Sequence, residues 1–497
     1  MPEGAPPTPS TTNHTRSASP LVVLRHPHFR LIWIAAFASY LGNWFEFVAV
    51  RWIVTEQASS LAQQGVSAED WMFYLSVAQL CPTLLLGLYG GIVADSVNRR
   101  KLLVITQVAM MIIALAMAAA AFSGHASRWV LLVLVLAQGI VVPFNTPAWQ
   151  VLTPRLVPKN ELTLAITLSG ISFNIARTVG PAIAGVIMAL FKDPTASEGT
   201  SRGAAALLLF NALTFIGVML AVLRTPDAPA PPENHGAWKH PALAIRRSNE
   251  ALAWVWRGKG PRAILFAIVV FAVLATPVMP MMSVVVHDVH KGSEDTFGVF
   301  IAVMGIGAVT GGLAMKHVPH WYPMHHFIPT SCMLGGVFIL LFSLATDSTW
   351  ALFTLFFVGI FWMWGFNSTA AAMQNLVPDH MRGRVLAVVN TIAMGLMPLG
   401  PLIAAKAGHA AEQALAPIQR TLDTPLLAPQ LGLAIPALVL TAAGVIMITY
   451  RTPEVDGLTP GQPGFERKPG FLRGLFATAH RPTHPQEPSR SPADHEV

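Results

Sequence analysis

The chain has 497 residues, of which 53% are hydrophobic and only 11% are charged. Soluble domains carry about 25% charged residues, so this composition excludes an ordinary soluble fold and predicts that lipid covers much of the surface. The formal net charge of +7 does not indicate nucleic-acid binding, because the basic residues are spread over short segments between long apolar runs.

Twelve long apolar segments follow one another along the chain. A helix needs about 20 residues to cross the hydrocarbon core of a membrane, and ten segments of that length contain no Asp, Glu, Lys or Arg. Two more, Leu31–Val54 and Leu162–Phe191, contain charges. Because these segments are continuous and much longer than a transmembrane strand, they predict an all-α membrane protein with twelve transmembrane helices. The ten uncharged segments are Trp71–Ala94, Leu102–Gly124, Trp129–Pro154, Ala204–Leu223, Ala263–Val286, Thr296–Met315, Phe327–Thr346, Ser348–Pro378, Val385–Ala405 and Thr424–Tyr450.

The basic residues between the segments predict the orientation of the chain. If the N-terminus is cytoplasmic, 24 of the 32 Lys and Arg residues fall in cytoplasmic segments and 6 in external ones. Positive residues concentrate on the cytoplasmic side of membrane proteins, so both termini are expected in the cytoplasm. Residues 1–28 and 451–497 are expected to be disordered tails, and the first of them lacks the apolar centre of a signal peptide.

A polar, basic and proline-rich linker, residues 225–262, divides the chain near its midpoint. It separates two predicted six-helix bundles, residues 29–224 and residues 263–450. Within the linker, Asn249–Arg257 is expected to form a short amphipathic helix on the membrane surface.

An internal repeat supports this division into two bundles. A shift of 220 residues places Leu156-Val157-Pro158 on Leu376-Val377-Pro378, and the same shift places Gly180-Pro181 on Gly400-Pro401. Secondary transporters are often built from such repeats. The sequence therefore predicts two pseudo-symmetric bundles that descend from one unit.

The segment between the second and third apolar runs contains a charged motif, Gly91-Ile-Val-Ala-Asp95-Ser-Val-Asn-Arg99-Arg100-Lys101. The glycine is expected to let two helices approach closely, and Asp95 at a helix end can pair with Arg99 or Arg100. The pattern resembles the G-x-x-x-D-x-x-x-R-[RK] signature of the major facilitator superfamily, in which this loop latches the outward-open state. The resemblance implies the major facilitator fold.

The fifth segment contains a second motif, Ala176-Arg-Thr-Val-Gly180-Pro181-Ala-Ile-Ala184-Gly185. Small residues four apart allow tight helix packing, and a proline is tolerated within a membrane helix. The motif is similar to the G-x-x-x-G-P-x-x-G-G antiporter motif of exporters in the superfamily, with alanine at two glycine positions. A purely structural packing role is the alternative, and the resemblance favours export over import.

Two further stretches resemble one branch of the superfamily. The first comprises Asn145–Pro158 and Asn174–Pro181, and the second is Met373–Val385, which contains Pro378 and Arg382-Gly383-Arg384. They are similar to the bacterial branch that includes enterobactin and macrolide exporters, and the resemblance covers about residues 27–450. It implies an exporter without identifying a substrate.

Three charged residues within the apolar segments are candidates for proton coupling. A charge at the centre of a membrane helix costs at least about 2.5 kcal/mol on insertion scales, so Glu46, Arg51 and Arg177 need an explanation. Glu46 is the only carboxylate deep within a segment, and we predict that it carries the proton. Arg177 could bind an anionic group or neutralise Glu46. The alternative for these residues is a static salt bridge inside the first bundle.

Amide side chains inside the segments are candidates for lining a substrate cavity. They are Asn43, Asn145, Asn174, Asn367 and Gln374. The histidines between His317 and His326 are expected to lie in a solvated cytoplasmic loop, because no acid or thiolate accompanies them. The sequence contains no phosphate-binding loop, nucleophile motif or metal-ligand pattern, so we predict no cofactor and no metal site.

The sequence therefore predicts a monomeric proton-coupled exporter in the inner membrane of a bacterium, surrounded by lipid. Its other partners would be protons and a small amphipathic or partly apolar solute, moved by alternating access between the two bundles. A lysophospholipid translocator is the alternative within transport. Outside transport, the alternatives are a membrane-embedded transferase, for which the sequence offers no catalytic cluster, and a non-transporting sensor, against which the charged loop motif argues.

Overall fold

A computed structural model shows that the chain folds almost entirely into helices. It describes residues 20–61, 65, 67–152, 156–158, 161–191, 202–226, 241–317, 324–378, 381–419 and 426–449. Within these ranges there is no β-strand. The prediction of an all-α membrane protein is therefore confirmed.

The first half of the chain forms six long helices. They are α1 Pro27–Ser60, α2 Ala68–Ser96, α3 Arg99–Phe122, α4 Arg128–Leu152, α5 Leu162–Leu190 and α6 Arg202–Leu223. Side-chain caps fix two of the starts: Ser67 accepts a hydrogen bond from the N–H of Asp70, and Asn98 accepts one from the N–H of Lys101. Such caps satisfy amide groups that a helix leaves unpaired in its first turn.

The N-terminal segment is more ordered than predicted. Residues 20–28 were expected to belong to a disordered tail, but Pro20–Arg25 forms a 3-10 turn and α1 begins at Pro27. The reason is a polar contact with the start of α5, because Arg25 and His26 both bind the carboxylate of Glu161. The predicted C-terminal tail, residues 451–497, lies outside the described residues.

A helix in the linker region, α7 Pro241–Arg257, includes the predicted Asn249–Arg257 and begins about two turns earlier. Ala251 and Val255 of α7 are fully buried in a cluster with Ile264 and Val385 of the second half, while Trp256 is largely exposed. α7 is therefore amphipathic, as the sequence predicts.

The second half forms eight helical segments that make six membrane passes. Two of the passes are interrupted at a proline, one at Pro277 and the other at Pro398. A proline removes one backbone hydrogen bond and bends a helix. A π-helical turn, Val285–Val289, ends the first bent pass. The eight segments are α8 Lys259–Leu274, α9 Val278–Val284, α10 Glu294–Ala314, α11 Met324–Ser343, α12 Ser348–Leu376, α13 Arg382–Leu396, α14 Leu399–Gln419 and α15 Ala428–Thr449.

Eleven passes in the described part of the chain are long and apolar enough to cross a membrane. The twelfth is α2, which packs along α4. Its polar side chains include Ser76 and Gln79, which line a central cavity. The structure is therefore consistent with the twelve predicted helices.

The two halves meet along two pairs of helices, α5 with α10 and α2 with the bent pass α13–α14. The 220-residue repeat places α5 on α13–α14, so one interface is the pseudo-symmetric counterpart of the other. This arrangement leaves a space between the halves, and that space is the central cavity.

Two predicted helix boundaries are wrong. The eleventh apolar run ends at Ala405, but α14 continues to Gln419, because Lys406 and His409 bind polar groups at the start of α2.

At the other boundary, α11 begins at Met324, so His325 and His326 are buried helix residues rather than part of a solvated loop. Burial of their rings at the first turn of α11 is the reason that this part of the loop prediction fails. Residues 318–323 of the loop lie outside the described residues.

Candidate functional site

A buried carboxylate lies in the middle of α1. Glu46 is 6% exposed. Gln138 Nε2 of α4 donates hydrogen bonds to its two carboxylate oxygens at 2.9 and 2.8 Å, and Asn211 Nδ2 of α6 donates to Oε2 at 2.6 Å. Because α1 packs against both α4 and α6, these distant residues reach one point. These hydrogen bonds satisfy the acceptor oxygens of the carboxylate, and a buried charged group needs such partners.

The amides around Glu46 can serve the acid in both of its protonation states. Gln138 Oε1 and Asn211 Oδ1 are buried and have no hydrogen-bond partner among the described residues. A protonated carboxyl group has one O–H donor, and a half-turn of either amide would present an oxygen that accepts it. The site can therefore hold the acid with or without its proton by turning a side chain.

Glu46 borders a cavity of about 290 Å³ whose walls, which include Asn43 and Gln138, come from the first half except for Met394. The central cavity, about 270 Å³, lies between the halves and shares Trp44, Phe47 and Gln79 with the first cavity. Only one layer of side chains therefore separates Glu46 from the central cavity.

Arg51 lies on α1 at the wall of the central cavity. Its guanidinium group stacks over the ring of Phe47, 3.5 Å from the ring centroid, and Arg51 Nη2 donates to Gln79 Oε1 at 3.0 Å. No ion pair joins Arg51 to Glu46 among the described residues. The static salt bridge considered from the sequence is therefore absent in this conformation, because each side chain binds a neutral partner instead.

Arg177 extends from α5 across the central cavity towards α12 of the other half. Its Nη2 lies 3.2 Å from Met363 Sδ, and its guanidinium carbon lies 4.9 Å from the centroid of the Phe366 ring. Both are weak partners for a cation. In the described part of the chain, Arg177 forms no ion pair with Glu46.

The halves also touch at the end of the molecule where α1 ends and α2 begins, which we call the closed end. Thr55 Oγ1 of α1 donates to Ser283 Oγ of α9 at 2.7 Å. Lys406 Nζ of α14 lies 3.0 Å from Asp70 Oδ1 of α2. These contacts close the central cavity at this end.

Comparison with protein families decides the class of protein. A model of a family described as transmembrane secretion effectors, in the major facilitator superfamily, matches residues 18–462. The chain belongs to this family. The resemblance to the bacterial exporter branch, recognised from motifs, is thereby confirmed.

The relatives of this chain are transporters. It is 24% identical over 371 residues to a staphyloferrin A transporter of Staphylococcus aureus, covering 74% of this chain and 86% of that protein. It is 20% identical over 387 residues to macrolide efflux protein A of Streptococcus pyogenes (76% and 88%). It is also 23% identical over 365 residues to an enterobactin exporter of Citrobacter koseri (72% and 80%). The family and these relatives confirm that the chain is a transporter and not an enzyme.

Solved structures of transporters share the fold. A bacterial homologue of the human lysosomal transporter Spinster superposes with a TM-score of 0.63 at 14% identity, covering 85% of this chain and 95% of that one. A D-xylose–proton symporter superposes with a TM-score of 0.60 at 14% identity, covering 86% and 99%. The major facilitator fold predicted from the sequence is confirmed.

The charged loop motif lies between α2 and α3. Arg99 is buried at the start of α3, and Arg100 binds the carbonyl oxygen of Leu223 at the end of α6. Asp95 is in the last turn of α2, and its side chain lies outside the described residues. The close packing expected at Gly91 is not seen in this conformation, since within the described part of the chain a Cβ there would meet nothing within 4 Å.

The antiporter-like motif packs tightly, as expected. A Cβ added to Gly180 would lie 2.9 Å from Trp44 Cβ of α1, and one added to Gly185 would overlap the backbone of Gly298 in α10. Pro181 is buried within α5. The motif therefore lets α5 approach both its own bundle and the other half.

The five candidate amides are placed differently. Asn43 lines the cavity beside Glu46, whereas Asn145 Nδ2 donates to Thr106 Oγ1 of α3 at 2.8 Å. Asn367 Nδ2 lies 3.4 Å from Met363 Sδ, and Gln374 is exposed near the end of α12. The side chain of Asn174 lies outside the described residues. Within the described part, Asn145, Asn367 and Gln374 are not among the residues that line the two cavities.

Sequence reasoning missed Gln138, Asn211 and Gln79, which hold Glu46 and Arg51. Each is an uncharged amide in an apolar run, and no spacing along the chain connects it to the charge that it binds. The only available signal was that a buried carboxylate needs polar neighbours. Among the described residues, no group of His, Cys, Asp and Glu side chains could hold a metal ion.

Proposed function

We propose that this transporter exports a small, partly apolar solute from the cytoplasm in exchange for protons. The observation that carries the proposal is the position of Glu46, a buried carboxylate one layer of side chains away from the central cavity. An ionisable group inside a membrane helix is costly and is a functional candidate by default. The antiporter-like motif and the names of the macrolide and enterobactin relatives favour export.

The orientation is part of this proposal. With both termini in the cytoplasm of a bacterial cell and the protein in its inner membrane, the closed end is the external end. The conformation described here is then the one in which an exporter receives its solute from the cytoplasm. We propose that residues 29–224 and 263–450 rock against each other as two bodies, with residues 225–262 as the linker, in a protein that acts as a monomer.

The proposed cycle follows from the Glu46 site. In the cytoplasm-facing state, the carboxylate loses its proton and accepts hydrogen bonds from Gln138 and Asn211. A solute then binds in the central cavity, and the halves reverse their contacts and open the external end. There the solute leaves, Glu46 takes up a proton, and the protein returns. Each turn moves protons inwards and solute outwards.

Membrane vesicles of defined orientation test both the coupling and the direction. We expect everted vesicles with an acidic lumen to accumulate at least one of three probes that do not titrate: 1-pyrenesulfonate, 1-pyrenemethanol and (1-pyrenylmethyl)trimethylammonium. Nigericin, which dissipates the pH gradient, should abolish the accumulation. Accumulation only in right-side-out vesicles, or accumulation that survives nigericin, would contradict the proposal. Vesicles without the protein provide the background.

A further inference from the structure

The central cavity has two chemically different walls. The first half contributes its charged and most of its polar lining residues, including Arg51, Arg177 and Gln79. The second half contributes an apolar and sulfur-rich surface with no Asp, Glu, Lys or Arg. That surface includes Met279, Met304, Trp362, Met394 and Met397. A solute in this cavity therefore meets positive charge on one side and apolar side chains on the other.

The two guanidinium groups are incompletely satisfied. Arg51 is only 4% exposed, and its Nε is buried with no hydrogen-bond partner among the described residues. Its partners are one amide oxygen and one aromatic ring. Arg177 is held by a thioether and an aromatic ring. A guanidinium has five N–H donors and binds carboxylate, sulfonate or phosphate oxygens in pairs, so both sites have donors left for an anion.

A direct ion pair with Glu46 does not account for these charges, because neither arginine forms one among the described residues. The cavity that contains Glu46 is lined by neither arginine, and the carboxylate is already bound by Gln138 and Asn211. Buried cations without a carboxylate partner are destabilising. A bound anionic solute would remove this cost.

We propose that the solute is an anionic amphiphile, bound with its acidic group between Arg51 and Arg177 and with its apolar part on the methionines and Trp362 of the second half. This inference rests on the proposed function in that it assumes the central cavity to be the solute site. It goes further by stating the charge of the solute and the orientation in which the solute binds in the cavity. Thioether side chains adapt to apolar groups of different shapes, so the methionines would accept many apolar parts. The acidic group is then the feature by which the two arginines recognise a solute.

Matched probes that differ in charge test the inference by binding alone, without any gradient. The purified full chain is placed in nanodiscs of uncharged phospholipid, and pyrene emission sensitised by tryptophan is measured, because Trp44 and Trp362 line the cavity. We expect 1-pyrenesulfonate to bind at least about tenfold more tightly than 1-pyrenemethanol, and the trimethylammonium probe to bind more weakly than either. Empty nanodiscs give the partition background.

Three variants locate the effect. Arg51→Gln combined with Arg177→Gln should abolish the preference for the sulfonate, so that it binds no more tightly than the alcohol. Arg177→Lys, which retains the charge, should keep much of the preference. Arg257→Gln, on the exposed part of α7, is the matched control and should bind all three probes as the wild type does. Thermal unfolding confirms that each variant is folded.

Equal affinities of the wild type for the three probes, or a preference for the cation, would overturn the inference. A sulfonate preference that survives in the folded double variant would overturn the assignment to Arg51 and Arg177. These results are independent of the vesicle experiment. An anion preference without proton-driven accumulation would leave the inference standing and refute the proton exchange. Proton-driven accumulation of the cation alone would support the proton exchange and refute the inference that the solute is anionic.

Discussion

Glu46→Gln is expected to abolish proton-driven accumulation of solute while leaving the binding of solute to the central cavity intact. Glutamine is close to glutamic acid in size and mimics its protonated form, and it can still form hydrogen bonds with Gln138 and Asn211. It has no proton to release. In vesicles with a pH gradient, probe concentrations inside and outside should therefore become equal, because the variant moves the solute only down its own gradient.

The matched control for this change is Glu161→Gln. Glu161 is also a buried carboxylate, 7% exposed, but it binds Arg25 and His26 near the start of α5, away from the two cavities. That variant should keep proton-driven accumulation. If Glu46→Gln accumulates the probe and moves protons as the wild type does, Glu46 is structural and another group couples transport to protons.

Gly185→Ala is expected to lower transport by at least about tenfold, equivalent to about 1.4 kcal/mol. The backbone of Gly185 in α5 lies directly against that of Gly298 in α10, so a methyl group there would overlap backbone atoms that cannot turn away. Overpacking of this kind typically costs about 1–3 kcal/mol. The cost falls on the conformation in which the closed end is shut, and thermal unfolding and vesicle transport both report it.

Gly170→Ala on the same helix is the matched control, because a Cβ there meets no atom of the described residues within 4 Å. Alanine is more favourable than glycine in a helix by up to about 1 kcal/mol, so this variant should be as stable as the wild type or more stable. Gly298→Ala should reproduce the effect of Gly185→Ala from the other side of the contact. Wild-type transport in both interface variants would show that α5 and α10 need not approach this closely.

The membrane passes could be predicted because the hydrocarbon core imposes a length and an apolar character on each helix. The same criterion failed where tertiary contacts extend a helix beyond the apolar run. α14 continues past Ala405 because Lys406 meets Asp70 of α2, and no local property of residues 406–419 indicates that partner. The bends after Pro277 and Pro398 were also not predicted, since proline is tolerated within a membrane helix.

The charged residues of the candidate site could be predicted from the sequence for a physical reason. A charge within an apolar segment is expensive, so Glu46, Arg51 and Arg177 stand out without any structure. Their neighbours do not, because Gln138 and Asn211 are neutral and lie 92 and 165 residues from Glu46. The direction of Arg177, across the cavity to Met363, depends on how the two halves pack and could not be read from α5 alone.

A pH-dependent distance across the closed end tests the central claim, that protonation of Glu46 biases the two conformations. Spin labels at exposed positions, Ser60→Cys on α1 and Thr346→Cys after α11, report this distance once Cys81 and Cys332 are replaced by alanine. In the conformation described here, amide donors face the carboxylate. These donors bind the deprotonated carboxylate as they stand, whereas the protonated acid requires one amide to turn, so deprotonated Glu46 should favour the closed end and protonated Glu46 should release it.

Lowering the pH from about 8 to about 5, across the range in which buried carboxyl groups titrate, should lengthen the distance between the labels without any solute. Other ionisable side chains, Glu69, Asp70, His409, His287 and Asp288, lie near this end, so the comparison with Glu46→Gln isolates the Glu46 contribution. The account predicts that this variant loses most of the pH-dependent shift. A shift as large as that of the wild type would contradict it.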